Sequence, residues 1–155
     1  MNSQYDTAQI CLNGHVINAQ SRLQPSLNQP YCDKCGERTI IVCPQCQIPI
    51  RGQLYNRAYK RVAYCHFCGK PFPWTSAGLA AAEKLADMLE SLSAGEREEL
   101  KSSLPDLMAK TPNTPFAETQ FKRLMKKAGG GAVEAMKRIL FDAVSEAVRK
   151  SLFGP

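Results

Sequence analysis

Four pairs of cysteine and histidine residues in the first half of the chain constrain its fold more than any other feature. Three pairs are C-x-x-C motifs, "CDKC" at 32–35, "CPQC" at 43–46 and "CHFC" at 65–68, and the fourth is "CLNGH" at 11–15. A C-x-x-C turn directs two sulfurs toward one tetrahedral centre, where zinc–sulfur bonds are about 2.3 Å long. Asn13-Gly14 is a turn dipeptide that can bring Cys11 and His15 to one metal in the same way.

The seven cysteines and one of the two histidines supply eight ligands, enough for two zinc ions with four ligands each. The predicted ligands are Cys11, His15, Cys32, Cys35, Cys43, Cys46, Cys65 and Cys68. Gly36 and Gly69 follow the second cysteine of two pairs, where a positive φ is expected. His66 lies inside its own C-x-x-C turn and is predicted to be a surface residue or a hydrogen-bond donor beside a ligand.

Other interpretations of these cysteines compete with closed zinc sites. The thiols can be free, buried or redox-active, although a thioredoxin-like motif needs a βαβ setting that this region lacks. His15 can also cap a turn, which would leave a three-cysteine site open to water and therefore to catalysis. The zinc deaminase signature H-x-E is absent, since Val16 and Ile17 follow His15. We expect no catalytic residues and no enzymatic activity.

Two groupings of the ligand pairs are compatible with their spacing. Sequential grouping joins the first pair with the second and the third with the fourth, as in two successive zinc ribbons. Interleaved grouping joins the first with the third and the second with the fourth, as in the cross-brace of RING and FYVE-type domains. The long gaps after the first and third pairs suit β-hairpins, and the knuckle sequences favour ribbons.

Composition places weaker limits on location and partners. The formal net charge of +6 falls to +3 once seven thiolates and two zinc ions are counted. This mild basic balance permits contact with nucleic acid without demanding it. No run of about 18 apolar residues is present to span a membrane, so no membrane partner is expected. The first residues lack the basic and apolar regions of a secretory signal, which predicts a cytoplasmic protein in which cysteines stay reduced.

The predicted fold is a small α+β protein in two parts. Residues 1–75 form a double zinc ribbon of β-hairpins and zinc knuckles, and residues 76–155 form a helical domain. The first helix is expected to start at Thr75 or Ser76, and "SAGE" at 93–96 has the form of a capping box. Pro105 is expected to interrupt or kink the helix that follows.

Two further helices are predicted in the second half. One begins at the cap Thr114 with Pro115 in its first turn, and it ends at the glycines after Ala128. The other runs from about 132 to 152 and has an apolar face. We expect that face to pack on the other helices or on a second copy of the chain.

Three segments of the chain resemble a family of uncharacterised bacterial proteins with zinc-ribbon knuckles. They are "CPQCQIPIRG", "YCHFCGKPFPWT" and the helical "LPDLMAKTPNTPFAETQFKRLMKKAG". The resemblance covers most of the chain, and "CGKPFPWT" is its most particular motif. It implies a bacterial cytoplasmic protein with the same two-part layout, and it implies no activity, substrate or partner.

Two basic clusters are candidates for nucleic-acid contact. The segment "RGQLYNRAYKRVAY" alternates cations with tyrosines, which can neutralise phosphates and stack on unpaired bases. On a helix, "FKRLMKK" places four cations on one face. The candidate residues are Arg51, Arg57, Lys60, Arg61, Lys122, Arg123, Lys126 and Lys127. Solvated surface charge is the competing explanation for both clusters.

The sequence therefore predicts a non-enzymatic zinc protein that acts as an adaptor or recognition module. Its partner is a macromolecule, with protein and nucleic acid about equally favoured. A cross-brace domain that recruits a conjugating enzyme is an alternative, and a DNA- or RNA-binding zinc ribbon with salt-dependent affinity is another.

Overall fold

The computed structural model describes residues 4–155. The chain divides into two compact units with the boundary between Ser76 and Ala77. We call them the N-terminal unit and the helical unit. The predicted α+β class is confirmed, because short strands and cysteine turns are followed by helices. None of the helices in the described residues combines the length and apolar character needed to cross a membrane.

The N-terminal unit contains five short antiparallel strands and one short 3₁₀ helix, Pro25–Leu27, within the described residues. The strands are β1 Tyr5–Thr7, β2 Gln9–Cys11, β3 Val16–Asn18, β4 Thr39–Ile40 and β5 Arg51–Leu54. One sheet has the order β3-β2-β4, and the other pairs β1 with β5. β1 and β2 are adjacent in sequence but belong to different sheets. β2 pairs with β3 and β4, which lie before the third ligand pair, and β1 pairs with β5, which follows that pair.

The hairpin expected between the third and fourth ligand pairs is not formed. Arg51–Leu54 is the only strand between those pairs, and its partner is β1 rather than a neighbouring part of the same loop. Beyond Leu54 the chain turns, with the Arg57 N–H donating to the Leu54 carbonyl at 3.0 Å. The antiparallel partner of this strand therefore comes from a distant segment that local sequence patterns do not identify.

A small apolar core fills the N-terminal unit. The rings of Phe72 and Trp74 stack with centroids 4.8 Å apart, and the Trp74 indole N–H donates to the Val62 carbonyl at 2.9 Å. Ile10 and Ile50 are fully or almost fully buried with them, and two of the cysteines belong to the same cluster. The core is therefore continuous with the ligand turns.

The helical unit contains most of the apolar core of the protein. The described part of the chain has five α-helices, of which the first begins at the end of the N-terminal unit: α1 Pro73–Asp87, α2 Ala94–Met108, α3 Thr114–Ala128, α4 Gly130–Leu140 and α5 Glu146–Phe153. Helix α3 packs against α2, α4 and α5. Its side chains Phe121 and Leu124 are almost completely buried, so α3 forms the centre of this unit.

Several predicted helix boundaries differ from the observed ones. Helix α1 begins at Pro73, where a missing N–H has no cost, and the Thr75 hydroxyl donates to the Ala63 carbonyl instead of capping the helix. Helix α2 continues through Pro105, which the burial of Leu104 and Leu107 on either side supports. Helix α3 begins at Thr114, so this residue follows the N-cap position rather than occupying it.

The single last helix predicted over 132–152 is wrong. Residues 141–145 separate α4 from α5, and the Ser145 hydroxyl accepts the N–H of Val148 to cap α5. The apolar residues of both helices still face the core, because Met136, Leu140, Val144 and Val148 are buried there. The predicted apolar face is therefore covered within the helical unit. It is divided between two helices, and Ser145 is the N-cap of the second one.

The capping box predicted at 93–96 is confirmed. The Ser93 hydroxyl accepts from the Glu96 N–H at 3.1 Å, and the Glu96 carboxylate accepts from the Ser93 N–H at 2.9 Å. The same carboxylate binds the Lys127 ammonium at 2.8 Å. Lys127 first and then the Ser93 N–H lower the pKa of Glu96 to about 2.

We expect Glu96→Gln to weaken the start of α2 at neutral pH. A carboxyl whose pKa is lowered by folding stabilises the fold above its ordinary pKa of 4.5 and loses that effect as pH falls toward about 2. Amide hydrogen exchange in the first turn of α2 should be faster in the variant at about pH 7, and the difference should shrink as pH falls toward about 3. Glu134→Gln, at an exposed helix position, is the control; an equal effect there would contradict the assignment.

Candidate metal centres

The three C-x-x-C motifs adopt one repeated backbone structure. The N–H of the first cysteine donates to the carbonyl five residues later, and the N–H after the second cysteine donates back to the first cysteine's carbonyl. The distances are 2.8 Å for both bonds at Cys32, 2.8 Å for both at Cys43 and 2.9 Å for both at Cys65. Each turn is flanked by one isolated β-bridge, Tyr31 to Arg38, Val42 to Pro49 and Tyr64 to Pro71. The repeat directs both sulfurs of each motif to the same side.

The position after the second cysteine has a positive φ in all three turns. Gly36 and Gly69 have φ values of 78° and 75°, as predicted from their place in the motif. The equivalent residue of the middle turn is Gln47, with a φ of 64°. A residue with a Cβ is strained in this left-handed region. The turn therefore holds Gln47 in a backbone conformation that glutamine does not prefer.

The "CLNGH" segment forms the fourth turn and joins β2 to β3. The Cys11 N–H donates to the His15 carbonyl at 3.0 Å, and the Gly14 N–H donates to the Cys11 carbonyl at 2.8 Å. Gly14 has a φ of 93°, and a Cβ there would also collide with the Arg61 guanidinium and with Trp74. Only glycine therefore fits at position 14, the fourth residue of this turn.

The structure brings the eight predicted ligand residues into two groups of four. Cys11, His15, Cys32 and Cys35 form the first group, and Cys43, Cys46, Cys65 and Cys68 form the second. Within each group the donor atoms all lie within 4.8 Å of one another. The grouping is sequential, with Cys11 and Cys43 in different groups, so the interleaved cross-brace arrangement is wrong. His66 belongs to neither group.

The distances between donor atoms match a single tetrahedral ion. In the first group the His15 Nδ1 lies 3.4 Å from the Cys11 sulfur and 3.5 Å from the Cys32 sulfur, and the Cys11 and Cys35 sulfurs are 3.7 Å apart. In the second group, sulfur pairs are separated by 3.8 Å and 3.6 Å. A tetrahedron with zinc bonds of ordinary length has sulfur–sulfur edges of about 3.8 Å and sulfur–nitrogen edges of about 3.6 Å. The donors present therefore fit the ion.

None of these sulfur atoms is bonded to another. The cysteines of the described chain are all free thiols, and the sulfur pairs above are far longer than a disulfide bond of about 2.05 Å. Cys11, Cys32, Cys43 and Cys65 are buried, while the second cysteine of each C-x-x-C motif is more accessible. Each group thus faces both the core and the surface.

Hydrogen bonds to sulfur favour the charged form of some of these thiols. The backbone N–H of Glu37 and then the side-chain amide of Asn13 lower the pKa of Cys35 to about 6. Asn13 lies 3.4 Å from that sulfur. The sequence indicates only a turn at Asn13, and its contact with Cys35, 22 residues away, is not contained in that pattern.

The second group contains a thiol with the opposite tendency. A backbone hydrogen bond from Ile48 lowers the pKa of Cys46, but burial and the neighbouring thiols outweigh it and raise that pKa to about 12. Close thiols cannot all ionise without a compensating cation, so a metal ion would replace the protons that they retain. The electrostatics of this group favour a bound cation.

Arg51 and Arg61 of the first basic cluster contact other groups of the N-terminal unit. The Arg51 guanidinium lies 4.5 Å from the centroid of the Tyr5 ring. The Arg61 guanidinium donates to the Gly14 carbonyl at 2.6 Å and lies 5.9 Å from the centroid of Trp74. Arg57 and Lys60 have exposed side chains. The structure thus gives Arg61 a structural contact and leaves the other three on the surface.

The helical cluster lies among acidic residues. Arg123 pairs with Glu99 at 2.9 Å, and Lys127 pairs with Glu96 at 2.8 Å. Lys122 and Lys126 are exposed on the same helix. Half of the cluster is therefore neutralised by neighbouring carboxylates.

One family model matches residues 4–152, and its description is "Uncharacterized protein conserved in bacteria (DUF2321)". The chain belongs to this family. The match extends over the cysteine turns and over the five helices except for the last residue of α5, so both units are family features. The resemblance found from the sequence motifs is confirmed. No curated protein and no solved structure matches the chain.

We expect the strain at Gln47 to be measurable by exchanging the two residue types. Gln47→Gly should leave the free energy of unfolding unchanged or raise it, because glycine adopts this φ without strain. Gly69→Ala should lower it by about 1 kcal/mol, since an added Cβ meets nothing within 4 Å and only the backbone strain remains. Urea unfolding followed by the fluorescence of the sole tryptophan, Trp74, measures both. A loss in Gln47→Gly equal to that in Gly69→Ala would contradict the strain argument.

We also expect Arg61→Gln to destabilise the N-terminal unit. The substitution removes the guanidinium N–H that donates to the carbonyl of buried Gly14, and an unsatisfied buried carbonyl costs about 1–3 kcal/mol. Arg57→Gln is the matched control, because it removes an exposed arginine from the same loop and should change stability by less than about 0.5 kcal/mol. The same urea titration distinguishes them, and equal midpoints for both variants would show that the Arg61 contact contributes nothing.

Proposed function

We propose that the protein is a non-enzymatic zinc-binding recognition module that holds two zinc ions and contacts a macromolecular partner. The observation that carries this proposal is the geometry of the two groups, each with four donor atoms at tetrahedral separations. Three sulfurs and an imidazole nitrogen would hold one ion, and four sulfurs the other. Thiolate and imidazole donors in tetrahedral arrangement are the ligands that zinc prefers.

The spacing of the sulfurs favours one ion in each group over a larger cofactor. An iron–sulfur cluster bound by four cysteines would hold their sulfurs farther apart than a single ion does. The observed separations of 3.6–3.8 Å between paired sulfurs suit a single ion. A reducing compartment keeps such thiols available for metal, which supports a cytoplasmic location.

The complete ligand sets support a structural role for the metal. Catalytic zinc sites have three protein ligands and keep a fourth position for water or substrate, whereas structural sites have four protein ligands. Among residues 4–155 the only groups of potential metal ligands are these two sets of four. The metal would therefore supply folding energy to a unit whose apolar core is small.

With structural metal sites, function belongs to the exposed surfaces of the two units. A macromolecular partner, protein or nucleic acid, is the class that such surfaces serve. The conjugating-enzyme alternative depended on a cross-brace, and the sequential grouping removes that support.

We expect anaerobically purified protein to contain two zinc ions per chain by elemental analysis. Cys11→Ser and Cys43→Ser should each reduce the content to one, and the double variant should have none, because the two residues serve different groups. His15→Ala should weaken binding at the first centre only. His66→Ala is the matched control and should retain both ions.

Removing the metal tests its structural role. A strong chelator should shift the Trp74 emission to that of an exposed indole and leave most of the helical circular dichroism, because the helical unit has its own apolar core. Iron instead of zinc, or chelation that leaves Trp74 buried, would contradict the proposal. So would a loss of both ions in each single serine variant.

A further inference from the structure

The positive charge of the protein is concentrated in the N-terminal unit. Residues 1–76 contain eight Lys and Arg against three Asp and Glu, a surplus of five, whereas residues 77–155 contain twelve against eleven. No Asp or Glu occurs between 38 and 82. Even after seven thiolates and two zinc ions are counted, the surplus of this unit stays at two. A polyanion would therefore be attracted more strongly to the N-terminal unit than to the nearly neutral helical unit.

Six residues of this unit, four of them exposed and two partly buried, form a surface that we call the basic tyrosine surface. They are Tyr5, Arg51, Tyr55, Arg57, Tyr59 and Lys60. They line two shallow hollows of about 320 and 270 Å³, and Tyr5 lines both. Tyr55 lines one hollow together with Asp6 and Arg22, the cations Arg51, Arg57 and Lys60 line the other, and Tyr5 is shared by both.

The fold holds these side chains in place. Pairing of β1 with β5 places Tyr5 opposite Leu54, and the Arg51 guanidinium lies against the Tyr5 ring. The Tyr59 hydroxyl donates to the Arg51 carbonyl at 2.8 Å, which folds the loop back along β5. Tyr5, Arg51 and Tyr59 are therefore positioned by contacts within the unit before any partner arrives.

Tyr55 is held on this surface at a conformational cost. Its φ is 44°, a left-handed value that a bulky residue rarely adopts, and 74% of it is exposed to solvent. Its N–H and carbonyl lie in the turn closed by the Arg57 N–H and the Leu54 carbonyl. Strained backbone conformations cluster at active sites, ligand clamps and switch regions.

We propose that the basic tyrosine surface binds single-stranded nucleic acid. This inference rests on the proposed function and names the partner of that recognition module. Arg57 and Lys60 neutralise backbone phosphates, and the Tyr55 ring offers a face on which an unpaired base stacks. A shallow surface of this kind suits splayed bases, since reading a duplex requires an element that enters its major groove.

The helical cluster is a poorer candidate for the same partner. Two of its four cations are paired with glutamates, and the helical unit as a whole is nearly neutral. Its exposed Lys122 and Lys126 therefore provide a matched control that removes the same number of charges from the same protein.

The test titrates zinc-loaded full-length protein into fluorescently labelled oligo-dT and oligo-U of about 12 nucleotides, and into a duplex of equal length. Fluorescence anisotropy is measured at roughly 50 and 200 mM salt. The variants are the double change Arg57→Gln with Lys60→Gln, the single change Tyr55→Gly, and the control Lys122→Gln with Lys126→Gln. Zinc content and the urea midpoint are measured on every sample.

Binding to the single strands should weaken steeply as salt rises, and the duplex should bind more weakly. The Arg57 and Lys60 double variant should reduce the slope of log affinity against log salt by about 1.4, which is 0.7 for each lost phosphate contact. Tyr55→Gly should weaken binding by at least about fivefold, without lowering the urea midpoint, because glycine relieves the strained φ. The control should match the wild type. Preference for oligo-U or for oligo-dT would assign RNA or DNA as the natural class.

Four results would overturn the proposal. They are no binding at low salt, equal binding to the duplex, an equal loss in the Lys122 and Lys126 control, and unchanged binding in Tyr55→Gly. If any of these occurs while the wild type holds two zinc ions, the zinc-binding proposal stands and only the partner is wrong. A wild type without zinc would instead show that the proposed function has failed, whatever the oligonucleotide result.

Discussion

Convergence of four short turns on two groups of donor atoms is the constraint on which the N-terminal unit depends. Its strands are only two to four residues long, and strands of this length are not stable without further support. The groups connect positions that are 24 and 25 residues apart, as in the Cys11–Cys35 and Cys43–Cys68 sulfur pairs. Cys43 and Cys65 are also buried in the apolar core with Ile10 and Ile50. Ligand groups and core therefore stabilise the same set of backbone segments.

The two units are stabilised by different interactions, and the charges on their surfaces also differ. In the helical unit an apolar core of leucines and other large side chains holds the helices together, and the exposed cations Arg123 and Lys127 of α3 pair with glutamates of α2. The N-terminal unit is organised by its ligand turns, and its loop from 47 to 64 contains cations without a single carboxylate. Arginine consequently has structural uses there that do not involve acids, as the Arg61 contact with the Gly14 carbonyl shows.

Most features that depend on neighbouring residues were predictable from the sequence, and several that depend on distant ones were not. The ligand turns, the positive φ of Gly36 and Gly69 and the Ser93 capping box are each contained in a few consecutive residues. The pairing of β1 with β5 and the contact of Arg61 with Gly14, 47 residues away, are set by the closed fold and leave no periodic pattern. The break between α4 and α5 lay within one apolar stripe, because both helices face the same core and so share one periodicity.

The second ligand group also holds both ends of the loop that carries most of the basic tyrosine surface. Cys46 and Cys65 flank the loop that carries five of its six residues, and their sulfurs lie 3.6 Å apart. Fixing both ends of a loop removes the entropy that it would otherwise lose when its side chains are ordered on a partner. Pairing of β5 with β1 then adds Tyr5 from outside the loop. The ligand atoms that would hold the metal therefore also fix the ends of this loop, so the proposed recognition of single strands would require an intact second centre.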